Sequence, residues 1–308
     1  MKTLVCIPTF NGGRSVTALI ASLKEQDVQP DRLLVIDSSS NDRTVDLFQT
    51  AGAEVHIIPR TEFNHGATRQ SALLLVPDAD VLCFLTQDAV FARPDALRSL
   101  LRCFDDDRIG SAYGRQLPRA AARSIESHAR LFNYPPSSMI KDMSFVQQLG
   151  IKTAFTSNSF AAYRRSALEG VGGFPSNTIL CEDIYVAAKM LLAGWKIAYC
   201  SDATVYHSHW FGFLAEFRRY FDIGVFHARE RWILDRFGGA GGEGLKFVLS
   251  ELRYLAKRDA LSIPSALFRN VLKYLAYRIG LHERYVPRRL KHHLSGHDFF
   301  FSADEKTT

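Results

Sequence analysis

Two kinds of segment are missing from this 308-residue sequence. No apolar run reaches the length of about 20 residues that a membrane-spanning helix requires. The N-terminus passes from Met1-Lys2-Thr3 straight into a strand-like run, without the apolar stretch and cleavage site of a secretory signal. These absences predict a cytoplasmic protein.

Cysteine is scarce and scattered. The five cysteines include no CxxC pair, and their number is odd. This pattern disfavours a zinc site and predicts reduced thiols in the core.

Two phosphate-binding motifs are also missing. No GxGxxG follows the first predicted strand and no GxxxxGK[ST] occurs, so a dinucleotide site and P-loop chemistry are both disfavoured. The first strand is followed instead by Thr9-Phe10-Asn11-Gly12-Gly13. The two glycines permit a tight turn close to a ligand.

Strand-like apolar runs alternate with amphipathic helical patterns, which is typical of a doubly wound, mostly parallel α/β sheet. The predicted strands of the first half are residues 4–8, 33–37, 55–58 and 81–85. Polar residues end three of them, namely Thr9, Asp37 and Asp88. Because ligands bind beyond the carboxyl ends of such strands, these residues predict a nucleotide crevice.

Asp88 is the first candidate for a metal ligand. It follows an apolar run, residues 81–85, that suits a strand buried on both faces. A carboxylate in this place costs free energy unless it is hydrated, paired or bound to a cation. The alternative role is a turn or a helix N-cap.

The second half of the chain is less regular at first. Residues 117–152, rich in Ala, Arg and Ser, predict a mobile loop or lid. Glu182 and Asp183 then open an amphipathic helix, where capping is the alternative to a chemical role. His207 and His209 follow a further predicted strand, and a satisfied structural histidine is the alternative there.

Five segments, in this order, resemble the family 2 glycosyltransferases, which are inverting enzymes of the GT-A fold. The resemblance covers roughly residues 3–210 and predicts a GT-A, Rossmann-like, mostly parallel sheet flanked by helices. The segments are Ile7-Pro8-Thr9-Phe10-Asn11, Val35-Ile36-Asp37-Ser38-Ser39-Ser40-Asn41-Asp42, Thr86-Gln87-Asp88, Gly172-Gly173-Phe174 and Glu182-Asp183.

Two further stretches resemble bacterial rhamnosyltransferases that use dTDP-L-rhamnose. They are residues 60–69, and Tyr206-His207-Ser208-His209 followed by residues 219–224. The resemblance implies transfer of L-rhamnose onto a cell-surface glycan or a polyprenyl-linked oligosaccharide.

The resemblance also implies the reacting groups. Asp88 and His207 would hold a divalent metal, Mg²⁺ or Mn²⁺, that neutralises the leaving diphosphate. The family usually has an acid where this chain has Thr86, so phosphates and water would complete the coordination. Asp183 would be the general base that deprotonates the acceptor hydroxyl, and Glu182 would orient the loop or contact the acceptor.

A second group of residues is assigned to the nucleotide-sugar donor. Asp37 would accept the imide N–H that uracil and thymine share, and Asn64 with His65 would shape the sugar pocket. Arg69 would contact phosphate or ribose, with a surface ion pair as the alternative. The donor-binding set is Thr9, Asp37, Asn64, His65, Arg69 and Gln87.

The last third of the chain holds all of the formal excess charge. Residues 211–308 contain 17 Lys and Arg against 11 Asp and Glu, whereas residues 1–210 contain 21 of each. Helical patterns at 211–237, 244–258 and 263–281 predict a basic, aromatic-rich helical appendage after a catalytic domain of residues 1–210.

Three interpretations of this appendage compete. It packs on the catalytic domain or on the second subunit of a homodimer, or it contacts the inner face of the cytoplasmic membrane. Binding to nucleic acid is disfavoured, because no recognised module accompanies the charge.

Two other functions stay open on sequence alone. A sugar-phosphate nucleotidyltransferase would share the sheet and the metal, although Thr9-Phe10-Asn11 is a poor substitute for its glycine-rich basic loop. A non-catalytic GT-A-like scaffold is suggested only by the acid that is missing at Thr86.

Overall fold

The computed structural model describes residues 1–239, 242–297 and 300–301. Its centre is one nine-stranded sheet. The strands are β1 (Thr3–Thr9), β2 (Arg32–Asp37), β3 (Glu54–Ile57), β4 (Val81–Leu85), β5 (Val90–Phe91), β6 (Ile109–Leu117), β7 (Met139–Lys141), β8 (Phe160–Arg164) and β9 (Lys196–Tyr206). Their order is β3-β2-β1-β4-β8-β6-β9-β5, and β7 pairs with β9.

Six of these strands point in one direction. β1 to β4 are parallel, and β8 lies antiparallel between β4 and β6, so that β6 and its parallel neighbour β9 share the direction of β4. The prediction of a mostly parallel sheet is therefore confirmed. The register pairs Thr9 directly with Asp37 at the carboxyl ends of β1 and β2.

Helices cover both faces of the sheet. The described α-helices are α1 (Val16–Lys24), α2 (Thr44–Thr50), α3 (His65–Leu75), α4 (Ala96–Leu101), α5 (Ser124–Asn133), α6 (Val146–Leu149), α7 (Arg165–Gly170), α8 (Glu182–Leu192), α9 (Phe213–Arg229), α10 (Arg231–Phe237), α11 (Glu243–Arg258), α12 (Ile263–Leu281) and α13 (Arg288–Leu294).

Side chains of β1 alternate between two hydrophobic cores. Leu4 and Cys6 pack in the core that includes α8 and α9, whereas Val5 and Ile7 pack in the core that includes α1 and α4. The strand is buried on both faces, as its uninterrupted apolar run predicts.

The C-terminal helices join this core. Phe221 of α9 lies in the same hydrophobic cluster as the β1 residues. α9 and α12 cross so closely that a Cβ on Gly280 would lie 2.1 Å from the Phe221 carbonyl oxygen. Only glycine fits at this crossing, and the close packing fixes α9 against the body of the protein. The division at residue 210 stays a prediction.

Two element predictions are wrong. Residues 117–152 were expected to form a loop or lid, but they contain α5, β7 and α6. Buried contacts order them, such as the Nζ of Lys141, which donates to the Phe155 carbonyl at 2.7 Å. The helix expected over 211–237 is two helices, α9 and α10, that meet at Glu230.

In the part of the chain that the structure describes, no helix is long and apolar enough to cross a membrane. The end of the predicted appendage, residues 302–308, lies outside the described residues.

Candidate active site

The carboxylate of Asp37 orders the turn that follows β2. It is fully buried and accepts hydrogen bonds from Oγ1 of Thr9 at 2.6 Å and from the amide and Oγ of Ser40, both at 2.7 Å. Thr9 and Asp37 therefore lie together, as predicted. Their hydrogen bonds shape the crevice at the ends of β1 and β2, and contact with a nucleobase stays a prediction.

Gln87 fixes the loop after β1. Its amide oxygen accepts from the backbone N–H of Phe10 at 2.9 Å, and its amide nitrogen donates to the Phe10 carbonyl at 3.1 Å. The ring of Phe10 is 37% exposed, and the guanidinium of Arg60 lies 4.1 Å from its centroid. Gln87 thus holds an exposed aromatic side chain beside the crevice at the ends of β1 and β2.

Three potential metal ligands converge beyond the ends of β4 and β9. Nε2 of His207 lies 3.4 Å from Oδ1 of Asp88, and Nε2 of His209 lies 3.4 Å from Oδ2. The two imidazole nitrogens are 3.0 Å apart. We call Asp88, His207 and His209 the Asp88 cluster.

Arg119 closes one side of the Asp88 cluster. Its Nη2 donates to Oδ2 of Asp88 at 2.9 Å. Burial alone would raise the pKa of Asp88, but His207, His209 and Arg119 together lower it well below its ordinary value. Asp88 is therefore a carboxylate anion at any physiological pH.

Gln116 determines which nitrogen of His207 faces Asp88. The amide oxygen of Gln116 accepts from Nη1 of Arg130 at 2.7 Å, so it is correctly placed as an acceptor. The same oxygen lies 2.9 Å from Nδ1 of His207, which must therefore carry the proton. Burial lowers the pKa of His207. The neutral ring then presents an unprotonated Nε2 to Asp88.

The donor set of the Asp88 cluster fits a divalent cation. Two imidazole nitrogens and a carboxylate converge at one place, and imidazole and carboxylate groups are ligands that divalent transition-metal ions accept. Adjacent ligands of an octahedral ion, each at about 2.1 Å, are about 3 Å apart, and the contacts of 3.0 and 3.4 Å are close to this value. Three protein ligands leave positions for phosphate oxygens and water.

The second acidic centre is the carboxylate pair, Glu182 and Asp183, at the start of α8. Nη1 of Arg69 lies 3.1 Å from Oε1 of Glu182, with both side chains buried. The side-chain amide nitrogen of Asn158 donates to the same oxygen at 2.8 Å. Burial alone would raise the pKa of Glu182, but Arg69, His65 and Asn158 lower it. Glu182 is thus a charged group with two partners on one carboxylate oxygen.

Asp183 differs from its neighbour. Within the described residues it accepts hydrogen bonds from two backbone N–H groups, those of Asn158 at 3.2 Å and Ile184 at 2.8 Å, and the residue is partly exposed. Burial and the adjacent charge of Glu182 raise the pKa of Asp183 to about 7. Two neighbouring carboxylates with separated pKa values are the usual arrangement of a general base beside a permanently charged group.

Asn158 and Ser157 connect the two centres. Asn158 binds both members of the carboxylate pair. Oγ of Ser157 accepts from the amide nitrogen of Gln116 at 2.9 Å, and Gln116 in turn orients His207. The Asp88 cluster and the carboxylate pair are therefore held by one short segment.

The residues predicted to shape the sugar pocket lie at the start of α3. Oδ1 of Asn64 accepts from the amides of Gly66 and Ala67, both at 3.0 Å, so Asn64 is the N-cap of this helix. A Cβ on Gly66 would lie 1.7 Å from the carbonyl oxygen of Pro175, and this close approach requires glycine. It brings the first turn of α3 against the loop that leads to α8. Burial lowers the pKa of His65 to about 4.

The model of the family described as Glycosyl transferase family 2 matches residues 4–172, more than half of the chain. The chain belongs to this family. It is a glycosyltransferase, as the ordered segments predict.

Two relatives are similar over almost the whole chain. O-antigen chain rhamnosyltransferase RfbN of Salmonella typhimurium is 48% identical over 288 residues, covering 93% of this chain and 92% of its own length. O-antigen chain rhamnosyltransferase WbaN of Salmonella anatum is 46% identical over 282 residues, covering 91% and 90%. The predicted similarity to rhamnosyltransferases is confirmed.

Two solved structures show the fold. Mannosyltransferase PcManGT from Pyrobaculum calidifontis, in complex with GDP-Man and Mn²⁺, gives a TM-score of 0.63 at 17% identity, covering 92% of this chain and 87% of its own. Residues 1–349 of S. aureus TarS give a TM-score of 0.54 at 16% identity, covering 100% and 92%. The GT-A fold of this family 2 member is thus confirmed.

Sequence reasoning missed several groups in the site. Arg119, Gln116 and Asn158 had no motif to mark them, and His209 was noted only as the neighbour of His207. The spacing of His207 and His209 along an extended segment was the available signal, because residues two apart in such a segment lie on the same side.

Proposed function

We propose that this glycosyltransferase moves L-rhamnose from dTDP-L-rhamnose onto a growing O-antigen glycan by a single displacement that inverts the anomeric carbon. Its similarity to two O-antigen chain rhamnosyltransferases supports the sugar and the pathway. The observation that carries the chemistry is the pairing of Asp183, whose pKa is about 7, with the charged Glu182.

Asp183 is the proposed general base. A carboxylate with a pKa near the working pH is both available as a base and strong enough to take a proton. It removes the proton from an acceptor hydroxyl, whose oxygen bonds to the anomeric carbon while the bond to the diphosphate oxygen breaks. Glu182 keeps its charge through Arg69, raises the basicity of Asp183 and holds the start of α8 in place.

The Asp88 cluster is the proposed metal site. A divalent cation held by these residues would neutralise the charge that develops on the leaving diphosphate. Asp88 and His207 are the ligands assigned from sequence, and His209 joins them by geometry. Arg119, already bound to Asp88, adds a second positive group on the same side of the site.

The donor nucleotide is placed at the ends of β1 and β2. Phe10 offers an exposed ring for stacking, and Arg60 already lies over one face of it. Thr9 and Asp37 form the floor of this crevice. We assign the thymine base to this region and the sugar to the first turn of α3, beside Arg69 and His65.

The C-terminal helices are proposed to dock on the inner face of the cytoplasmic membrane, where a polyprenyl-linked acceptor is available. An exposed apolar stripe runs along α12, a helix without any acidic residue. Its residues are Leu267, Phe268, Val271, Tyr274, Leu275 and Ile279. We call this set the α12 stripe.

Charge favours an anionic membrane over a second copy of the chain. Among the described residues 243–297, every exposed Asp, Glu, Lys or Arg is a cation, because the four acids of this range are at least partly buried. Two copies would bring these cations together, whereas anionic lipid neutralises them. The exposed cations are Lys246, Arg253, Lys257, Arg258, Arg278, Arg284, Arg288 and Arg289.

The transfer reaction tests the main proposal. The purified protein is incubated with dTDP-L-rhamnose, Mn²⁺ and a polyprenyl-diphosphate glycan, and the anomeric configuration of the product is read by NMR. Rhamnose in the inverted configuration is expected. Transfer of another sugar in preference to rhamnose would refute the donor assignment. Release of pyrophosphate from nucleoside triphosphate and sugar phosphate would favour a nucleotidyltransferase.

Flotation with lipid vesicles tests the docking proposal. Binding to vesicles with phosphatidylglycerol, but not to pure phosphatidylcholine, is expected, and Phe268→Ser with Leu275→Ser should abolish it. Ile57→Ser, at an exposed apolar residue on β3, is the matched control. The contrary result is a dimer in sedimentation experiments, dissociated by the double variant, together with no binding to vesicles. That result would show that the α12 stripe joins two subunits.

A further inference from the structure

His65 contacts a histidine from the opposite end of the chain. Its Nε2 lies 3.3 Å from Nε2 of His297, and the two rings meet edge-on with centroids 5.4 Å apart. Nδ1 of His297 lies 3.0 Å from Oδ2 of Asp222 in α9. Three side chains thus form a line from the first turn of α3 into the C-terminal region.

The far end of this line is a deeply buried charge. Asp222 has no exposed surface. Its carboxylate accepts from Oγ of Ser295 at 2.6 Å and from the amide of Gly296 at 2.9 Å. Residues 295–297 therefore wrap around Asp222. A buried carboxylate is costly to retain for packing alone.

The near end of the line is close to the carboxylate pair. The backbone carbonyl of His65 accepts from Nη1 of Arg69 at 2.8 Å, and the same nitrogen pairs with Glu182. His65 is partly exposed, and its Nδ1 is not one of the fully enclosed atoms that lack a hydrogen-bond partner, so a ligand can reach it. It lies in the region assigned above to the donor sugar.

Hydrogen bonding along the line determines the tautomer of His65. The carboxylate of Asp222 can only accept, so Nδ1 of His297 carries a proton. In the neutral form of His297, Nε2 then accepts the Nε2–H of His65. Nδ1 of His65 is left without a proton, and no hydrogen bond from the described residues reaches it.

We propose that Asp222 and His297 are positioning residues that hold His65 in its Nε2–H tautomer, so that Nδ1 of His65 accepts a hydrogen bond from a hydroxyl group of the donor sugar. The inference rests on the proposed donor site. It makes the segment 295–297 part of that site, although the sequence separates His65 from His297 by 232 residues.

The tautomer itself can be measured without any transfer activity. Nitrogen chemical shifts of ¹⁵N-labelled histidine should show the proton of His65 on Nε2 in the full-length protein. His297→Phe removes the acceptor of the Nε2–H of His65 and keeps an aromatic ring in the same place. The nitrogen shifts of His65 should then move toward those of a mixture of the two tautomers.

Donor analogues test the contact with the sugar. Among dTDP-L-rhamnose analogues that each lack one hydroxyl group, one should lose about tenfold in kcat/KM with the wild-type enzyme, as for one hydrogen bond. With His297→Phe, or with Asp222→Ala, which removes the acceptor of the His297 Nδ1–H, that analogue should be used as well as the parent donor. His293→Gln, at an exposed position on α13, is the matched control and should keep the wild-type discrimination.

The failures of the two proposals are distinguishable. If the wild-type enzyme transfers rhamnose but every variant discriminates among the analogues as the wild type does, the inference is wrong and the function stands. An unchanged His65 tautomer in a folded His297→Phe protein also overturns it. If the wild-type enzyme transfers no rhamnose at all, the proposed function fails.

Discussion

The Asp88 cluster and the carboxylate pair are both acidic centres, but they differ in how their charges are balanced. In the carboxylate pair, Glu182 is neutralised by Arg69 and hydrogen-bonded by Asn158. In the Asp88 cluster, an unprotonated nitrogen of His207 faces a carboxylate oxygen. The first centre has its cation in Arg69, whereas the second combines the charge of Arg119 with two imidazoles and offers ligands for an added cation.

This difference distinguishes a general base from a metal ligand, two roles that an acidic sequence motif alone does not tell apart. A self-contained pair can tune one of its members, and here the fixed charge of Glu182 raises the pKa of Asp183. A cluster of acceptors cannot tune a base, but it can hold a metal against a diphosphate. Changes at the first centre should therefore alter pH dependence, and changes at the second should alter metal dependence.

The largest effect is expected from Asp183→Asn. Loss of the proposed general base should reduce kcat by about a thousandfold, within the usual range for such groups. The same variant should be more stable than the wild type above pH 7. The folded-state pKa of about 7 lies above the ordinary 3.8, so the folded chain binds more protons between these values and loses stability as the pH rises.

Two measurements check this prediction. Thermal unfolding at pH 8 and pH 4.5 should show the gain from Asp183→Asn at pH 8 only. The kcat/KM of the wild type should rise about tenfold per pH unit up to pH 7 and then level off, as for a single base. If Asp183→Asn keeps its activity, or if the wild type has a flat pH profile between pH 5 and 8, Asp183 is not the general base.

The next effect is expected at the Asp88 cluster. Asp88→Asn and His207→Ala should each reduce kcat/KM by about a hundredfold and weaken Mn²⁺ binding by a similar factor. The wild type should be stabilised against heat by Mn²⁺, and more by Mn²⁺ with dTDP, because ligands that bind only the folded state raise its stability. Calorimetric titration of Mn²⁺ gives the affinities.

His56→Ala provides the matched control, since His56 is an exposed histidine on β3. It should leave Mn²⁺ binding unchanged. Equal Mn²⁺ affinity in the wild type and in Asp88→Asn would show that the cluster is not the metal site. His209→Ala tests whether the third ligand contributes, and a loss close to that of His207→Ala is expected.

Glu182→Gln should give a smaller but more specific result. Removing the charge beside Asp183 lowers its pKa, so the rising limb of the pH profile should move to lower pH. The variant also leaves the buried charge of Arg69 without its anionic partner, which should cost about 3 kcal/mol of stability. Arg69→Met with Glu182→Gln should recover much of the stability and keep the shifted profile. A pH profile that does not move in Glu182→Gln would show that the charge of Glu182 does not determine the pKa of Asp183.

The most accurate predictions from sequence concern features that a short segment of the chain determines on its own. The strand ends at Thr9, Asp37 and Asp88 could be located because an uninterrupted apolar run followed by a polar residue marks the end of a buried parallel strand. The start of α8 at Glu182 was marked in the same way by its amphipathic pattern. The family segments then added chemical roles to these positions.

What could not be predicted depends on contacts between distant segments. Gln116 orients His207 across 91 residues, and the side-chain amide of Asn158 donates to Glu182 across 24. Neither residue lies in a recognised motif, because its role depends on the distance and angle at which the fold places its side-chain amide. The loop predicted at 117–152 failed for the same reason, because its order comes from buried contacts to other elements.

The smallest effect concerns Asn64, which the sequence assigned to the sugar pocket and the structure places at the N-cap of α3. Asn64→Asp keeps the cap and should change kcat/KM for the donor less than about threefold, whereas Asn64→Ala should cost about 1 kcal/mol of stability. A rise in donor KM of more than tenfold in Asn64→Asp, at unchanged stability, would show instead that the amide nitrogen contacts the donor. In that case Asn64 acts on the sugar directly, and the first turn of α3 recognises the donor through both of its leading side chains, Asn64 and His65.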